Sequence, residues 1–225
     1  MQCLYLVLLS DRQAYAAHTL AEVGGGARGA VCACVVEGAR VALGGELGLA
    51  LLDLERAELV PRRAIAPVHR IRYVPREHLL VVIAGRGRHV RLVPLRALEC
   101  AEAESVKLSE AKGAVDIAVG ELHASAHGFA VVCKRQNVWI VLVYEITRTA
   151  ARRCRVAELR AAAPVLSLQL VRGRLLLGYR GGVVAHTLRV DAHAPHPTAV
   201  CEYYFCFSSC TALYNFIVLI SKQAA

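Results

Sequence analysis

Gly24, Gly26, Gly29 and Val31 stand at the G-x-G-x-x-G-x-V spacing of the loop that covers nucleotide phosphates in protein kinases. That chemistry needs more than glycine. A strand lysine must hold the phosphates, a His-Arg-Asp loop must position the attacking hydroxyl, and an Asp-Phe-Gly must hold magnesium. The first lysine of the chain is Lys107, and neither tripeptide occurs. A lone glycine pattern is weak, and this one reads as coincidence. A dinucleotide site fails as well, because no clear strand leads into these glycines and no helix follows them. With no Gly-x-Ser-x-Gly elbow and no outstanding carboxylate pair, hydrolase chemistry has no support either, and no catalytic residue is assigned.

Metal chemistry is the next test. Cys32 and Cys34 lie in a strand-like run, where alternate side chains share a face and two thiols can meet one ion. No second pair at matching spacing completes a site, and buried structural cysteines are common. His193 and His196, with Cys201, Cys206 and Cys210, have the right ligand types for zinc at a spacing that matches no standard site. No metal ligand and no cofactor is assigned. The nine cysteines are odd in number and follow no regular framework, which fits reduced thiols in the cytoplasm.

Charge points elsewhere. Twenty-seven Lys and Arg against 18 Asp and Glu leave a net charge of +9, a balance that favours acidic partners. The positive residues gather at turns. Arg86, Arg88 and Arg91 surround one hairpin, Lys134 and Arg135 occupy the turn of the next pair, and Arg148, Arg152, Arg153 and Arg155 form a third cluster. If such turns share a rim they bind phosphates or carboxylates. Solvated surface arginines are the plain alternative. Aromatic residues make up only 6% of the chain, so single-stranded nucleic acid, which needs stacking platforms, is disfavoured.

The elements that position these turns read as strands. Arg40–Gly44 and Gly48–Leu52 form a glycine hairpin, and Arg174–Gly178 with Gly182–His186 repeats it. Tight turns need backbone angles that glycine adopts cheaply. Ala30–Val36 is an apolar run, and Val68–Val74 alternates arginine with apolar residues, as a half-exposed strand does. Leu79–Ala84 is wholly apolar and belongs in the middle of a sheet, followed by an outgoing strand at His89–Val93. Phe129–Cys133 pairs with Val138–Ile146, and Val165–Val171 precedes the last hairpin. A helical turn fits between Leu95 and Lys107, and part of the Ala-rich stretch 150–163 should be drawn into a strand. The expectation is an all-β chain: a partial β-propeller of three to four antiparallel blades, an incomplete ring. Leu4–Leu9 is short and lacks a basic flank, so it reads poorly as a signal peptide, and Thr211–Ile220 is a marginal membrane span.

The motifs Gly85–Leu98, Lys107–Gly113, Cys133–Arg135, Val143–Thr149 and Leu175–Gly182 resemble, in order and spacing, the citron homology (CNH) domain. The nearest likeness is to the myotonic-dystrophy-kinase-related kinases that bind a Rho-family small GTPase. The resemblance divides the chain into an N-terminal segment 1–27, a partial CNH domain 28–190 and a divergent hydrophobic tail 191–225. It implies a β-propeller that is a non-catalytic protein-interaction module of a serine/threonine kinase acting in small-GTPase signalling to the actin cytoskeleton. In that family the domain follows a kinase domain, a coiled coil, a C1 domain and a PH domain. None of these is found here, so the chain is expected to be a fragment without activity of its own. The expected partner is a Rho-family GTPase or a cytoskeletal protein, in the cytoplasm or at the cytoskeleton or membrane. Arg86, Arg88, Arg91, Lys134 and Arg135 are the candidate contacts. The alternative is a peripheral module whose basic turns bind anionic lipid.

Overall fold

The structure is a computed structural model that describes residues 2–8, 16–23, 29–56, 58–63, 65, 67–99, 105–123, 126–146, 154–161, 163–189 and 198–205. These form strands β1 (Gln2–Leu8), β2 (Ala16–Val23), β3 (Ala30–Val35), β4 (Arg40–Gly45), β5 (Gly48–Asp53), β6 (Glu58–Arg63), β7 (Val68–Val74), β8 (Leu79–Ala84) and β9 (His89–Pro94). A one-turn helix α1 (Arg96–Glu99) follows, then β10 (Val106–Leu108), β11 (Ala114–His123), β12 (Ala126–Arg135), β13 (Val138–Ile146), β14 (Cys154–Ala161), β15 (Ser167–Val171), β16 (Arg174–Tyr179), β17 (Gly182–Arg189) and β18 (Thr198–Phe205). β1 and β2 pair as a hairpin. The other strands form four sheets, β3–β6, β7–β10, β11–β14 and β15–β18, each joined in chain order. Four four-stranded antiparallel meanders are the blades of a partial β-propeller.

Burial explains which runs became which strands. Second strands are apolar on both faces and buried on both: β4, β8 and β16 each carry an unbroken run of buried residues. First strands alternate, as in β7 with Arg70 and Arg72 out and Val68 and Ile71 in, and in β15. Continuous hydrophobicity therefore marks a strand covered above and below, and alternation marks one covered on a single side.

The repeated glycine hairpins fold alike. Gly45 pairs with Gly48 across Glu46-Leu47, and Tyr179 pairs with Gly182 across Arg180-Gly181. One residue further in, Gly44 lies opposite Cys32 of β3, and Gly178 lies opposite Ser167 of β15.

Several strands carry little sequence signal. β11 contains Asp116, Gly120 and Glu121 and is a strand because it pairs along its length with β12. β6 carries Pro61, which cannot donate to a ladder, and it occupies a sheet edge with a register shift opposite Leu49 to Leu51. β10 is three residues long, too short for a pattern. The Ala-rich stretch yields β14 and the predicted helical turn is α1.

The chain divides into two compact units, 1–86 with 91–106, and 87–90 with 107–225. In the first, Leu49, Leu51, Ile71, Leu80 and Val82 form the core. In the second, Val132, Val143, Leu168, Leu175 and Leu177 do so. Phe129 and Tyr144, cross-strand partners in the second unit, stack at 4.8 Å with an interplanar angle of 14°. Such a pair adds about 1 kcal/mol beyond its area. Among the described residues no helix is long and apolar enough to cross a membrane.

Candidate functional site

The turn between β8 and β9 begins at Gly85 (φ 79°) and ends at Arg88, a non-glycine residue in the left-handed region (φ 48°). Left-handed backbone at arginine is strained and persists only where its surroundings hold it. In the second unit they do. The Ala114 N–H donates to the Arg88 carbonyl at 2.9 Å, and the Gly113 N–H donates to the Gly87 carbonyl at 3.1 Å. The Gly113 carbonyl in turn accepts from the Lys134 N–H at 2.9 Å. Gly113 thus ties the 87–88 turn to the end of β12. It has φ +73°, and a Cβ there would strike the Lys134 carbonyl, so only glycine fits.

Arg86 and Arg88 are exposed at this turn. Arg91 is half-buried and donates to Ser105 Oγ at 3.2 Å. Lys134 and Arg135 are not turn residues. They are the last two of β12, paired with Trp139 and Val138, and the turn is the two-residue Gln136-Asn137 with Gln136 left-handed (φ 53°). Hydrogen bonding to β13 carries the strand two residues past the apolar run that marks it in sequence. Both side chains are exposed. Lys134 Nζ lies 5.6 Å from the Trp139 ring centre, and the Arg135 guanidinium donates to the Glu110 carbonyl. Lys112, exposed and next to Gly113, joins this group; within Lys107–Gly113 it carried no signal, because nothing local says that Gly113 bonds both turns.

Cys32 and Cys34 do share a face of β3, and that face packs on the first unit's core. Cys32 Sγ lies 3.7 Å from the Gly44 carbonyl. Partial burial pushes both thiols above their usual pKa, so they sit as half-buried thiols packed against that core, not as poised thiolates. Cys133 is fully buried and pushed up to about 11 by desolvation. Of the zinc candidates, His193, His196, Cys206 and Cys210 lie outside the described residues, and Cys201 lies in β18 opposite His186. Gly24 and Gly26 also lie outside them, as do Arg148, Arg152 and Arg153; Arg155 is in β14 opposite Tyr144.

One polar network has no counterpart in the sequence reading. In the first unit, Glu37 pairs with Arg40 at 3.0 Å and with His78 Nδ1 at 2.8 Å, and Arg40 reaches Glu99 at 2.5 Å. His78 caps the 75–77 turn with φ 46°, and Tyr73 Oη lies 3.4 Å from its Nδ1. Arg40 and Glu99 are 59 positions apart in sequence, so no local pattern announces the network.

Against known proteins, residues 37–215 match the CNH domain family. The solved AfRom2 CNH domain aligns with TM-score 0.59 at 20% identity, over 72% of this chain and 53% of that one, which places the fold. The chain belongs to the CNH domain family. It is 31% identical over 202 residues to the serine/threonine-protein kinase MRCK alpha of Rattus norvegicus, across 79% of this chain and 11% of the kinase. It is 29% identical over 172 residues to the serine/threonine-protein kinase Genghis Khan of Drosophila melanogaster, across 74% of this chain and 10% of the kinase. The chain therefore spans about a tenth of the length of the curated relatives it matches. The region matched is the CNH region, which is non-catalytic and separate from the kinase domain of those proteins.

Proposed function

We propose that this chain is the partner-binding module of a serine/threonine kinase of the MRCK type, a scaffold that sets where the kinase acts in small-GTPase signalling to the actin cytoskeleton. The observation that carries the reading is the CNH family match across residues 37–215. The likeness to MRCK alpha and Genghis Khan over most of the chain supports the kinase context. Exposed Arg88, Lys134 and Arg135 of the second unit, and exposed Arg86 with half-buried Arg91 of the first, are the basic residues offered to acidic partners. The partner is a Rho-family GTPase or a cytoskeletal protein, and the place of action is the cytoplasm, at the cytoskeleton or the membrane.

The test is retention of GTP-loaded Rho-family GTPases and of actin filaments on the immobilised chain, before and after reversing all five charges to Glu. Retention lost on reversal supports both the reading and the surface. Retention unchanged removes the surface, and no retention of either protein by the unaltered chain overturns the reading. Anionic lipid is the rival ligand, since basic residues near such a surface contribute about 1 kcal/mol each. Sedimentation with phosphatidylserine vesicles, lost at high salt and without any protein retained, would favour the membrane reading instead.

A further inference from the structure

We infer that Arg88, Lys112, Lys134 and Arg135 form one preorganised face at the turn end of the β11–β14 sheet, around the Gly113 backbone and with Lys134 and Arg135 on opposite sides of β12, that takes an acidic, extended segment of a protein partner. The inference rests on the partner-binding reading above and narrows it to one set of residues and one ligand chemistry.

Three observations carry it. The first is connectivity. Arg88, Lys112 and the Lys134-Arg135 pair come from three separated stretches, and Gly113 joins them by donating to Gly87 and accepting from Lys134, while Ala114 donates to Arg88. A further bond from the Val90 N–H to the Ala111 carbonyl at 3.3 Å fixes the Ser109–Gly113 loop along its length. All of these groups belong to the second unit.

The second is preorganisation. The Arg135 guanidinium is held on the Glu110 carbonyl, and Lys134 is held over Trp139. Neither interaction neutralises charge. Among the described residues none of the four cations is ion-paired. Cations fixed by neutral groups keep their charge for a ligand and lose less entropy when it binds.

The third is the company they keep. Glu110 is exposed in the same loop, its carboxylate accepting from Ser109 Oγ at 3.3 Å, and Val138, opposite Arg135, is 45% exposed. A lipid surface offers diffuse negative charge that meets Glu110 together with the cations. A polypeptide with carboxylates at fixed intervals and an apolar side chain among them meets the cations, avoids Glu110 and covers Val138. Arg91 stays outside the face because its guanidinium is engaged by Ser105, and Arg86 belongs with it to the first unit.

The experiment is fluorescence anisotropy of a labelled oligoglutamate peptide with one central leucine, titrated with the full chain. An oligoglutamine peptide and phosphatidylserine vesicles are run in parallel. Lys112→Glu with Lys134→Glu and Arg135→Glu should weaken the acidic peptide at least about tenfold, while Arg174→Glu with Arg180→Glu, exposed in the same unit, should stay within about twofold. Lys134→Gln with Arg135→Gln serves in place of the reversed variant if that one loses its cooperative melt. Val138→Ala should weaken the peptide about threefold with its salt dependence unchanged. Equal losses in the two charge sets, equal binding of oligoglutamine, or vesicle binding without peptide binding would each overturn the inference. Peptide binding that follows these variants while GTPases and filaments are not retained leaves the face standing and removes the wider reading. Retention abolished only by Arg86→Glu with Arg91→Glu does the reverse.

Discussion

Two hairpins of this chain use the same backbone device for different ends. β4–β5 and β16–β17 share turn length and register, with Gly44 and Gly178 one step inside the turn. A methyl group added at Gly44 would sit 2.5 Å from Val68 Cγ1, 2.8 Å from Cys32 Sγ and 2.9 Å from Ile71 Cδ1. At Gly178 it would meet Ser167, first at Oγ and then at Cβ at 3.3 Å. Gly44 is bare so that β7 of the next sheet can pack onto β4, and Gly178 is bare to admit one side chain of its own sheet. A repeat in sequence records a shared backbone geometry and leaves open which neighbour enforces it.

The comparison can be bracketed and broken by substitution, with stability read from urea unfolding of the whole chain. Gly113 sets the upper end. Alanine there adds left-handed strain to a collision with a carbonyl that cannot swing away, and should cost about 3 kcal/mol or more. A loss under 1 kcal/mol would mean that Gly113 does not tie the two turns. Gly44→Ala should cost about 2–3 kcal/mol, since Val68 and Ile71 are fully buried and branched and have nowhere to turn. Equal costs at Gly44 and Gly178 would erase the contrast between the two hairpins.

Cys133 extends the test to pH. Burial lifts its pKa from 9.0 to about 11 in the folded chain. The raised value means that the folded state holds the proton more tightly, so this contribution is complete below pH 9 and is lost as pH rises through about 11. The loss is on the order of 2–3 kcal/mol, and Cys133→Ala should flatten that part of the stability profile. A parallel fall in both proteins would assign it to other groups.

Gly178→Ala should cost about 1–2 kcal/mol. Ser167→Ala in the same chain should return at least half of it, because the nearest obstructing atom is a hydroxyl. Additive losses in that double variant would show that Ser167 is not what holds position 178 empty. Gly38 sets the lower end. It has φ +66° with nothing within 4 Å of an added Cβ, so alanine pays only for its backbone angle, about 1 kcal/mol.

Much of the fold was legible where burial is two-sided or strictly alternating. β7 and β8 fall at Val68–Val74 and Leu79–Ala84, the bounds their patterns mark, and the two glycine hairpins lie where their turns place them. β6, β10 and β11 were not legible, because each is a strand through its neighbour's hydrogen bonds and not through its own composition. The candidate face was half legible. Arg88, Lys134 and Arg135 announce themselves as basic residues at chain reversals, but Lys112 enters only through the bonds that Gly113 makes to both sides. The Glu37, Arg40, His78 and Glu99 network was invisible for the same reason: its members meet across sheets.

By itself the sequence determined the class of fold, the positions of the glycine hairpins and the family, because hydrophobic periodicity and glycine turns are local physics written residue by residue. Only the tertiary structure decided which chain segments Gly113 joins, why Gly44 and Gly113 must stay bare, and which arginine bonds a serine. Those outcomes depend on atoms far apart in the chain arriving within hydrogen-bond or van der Waals reach, and short-range pattern carries no record of such meetings.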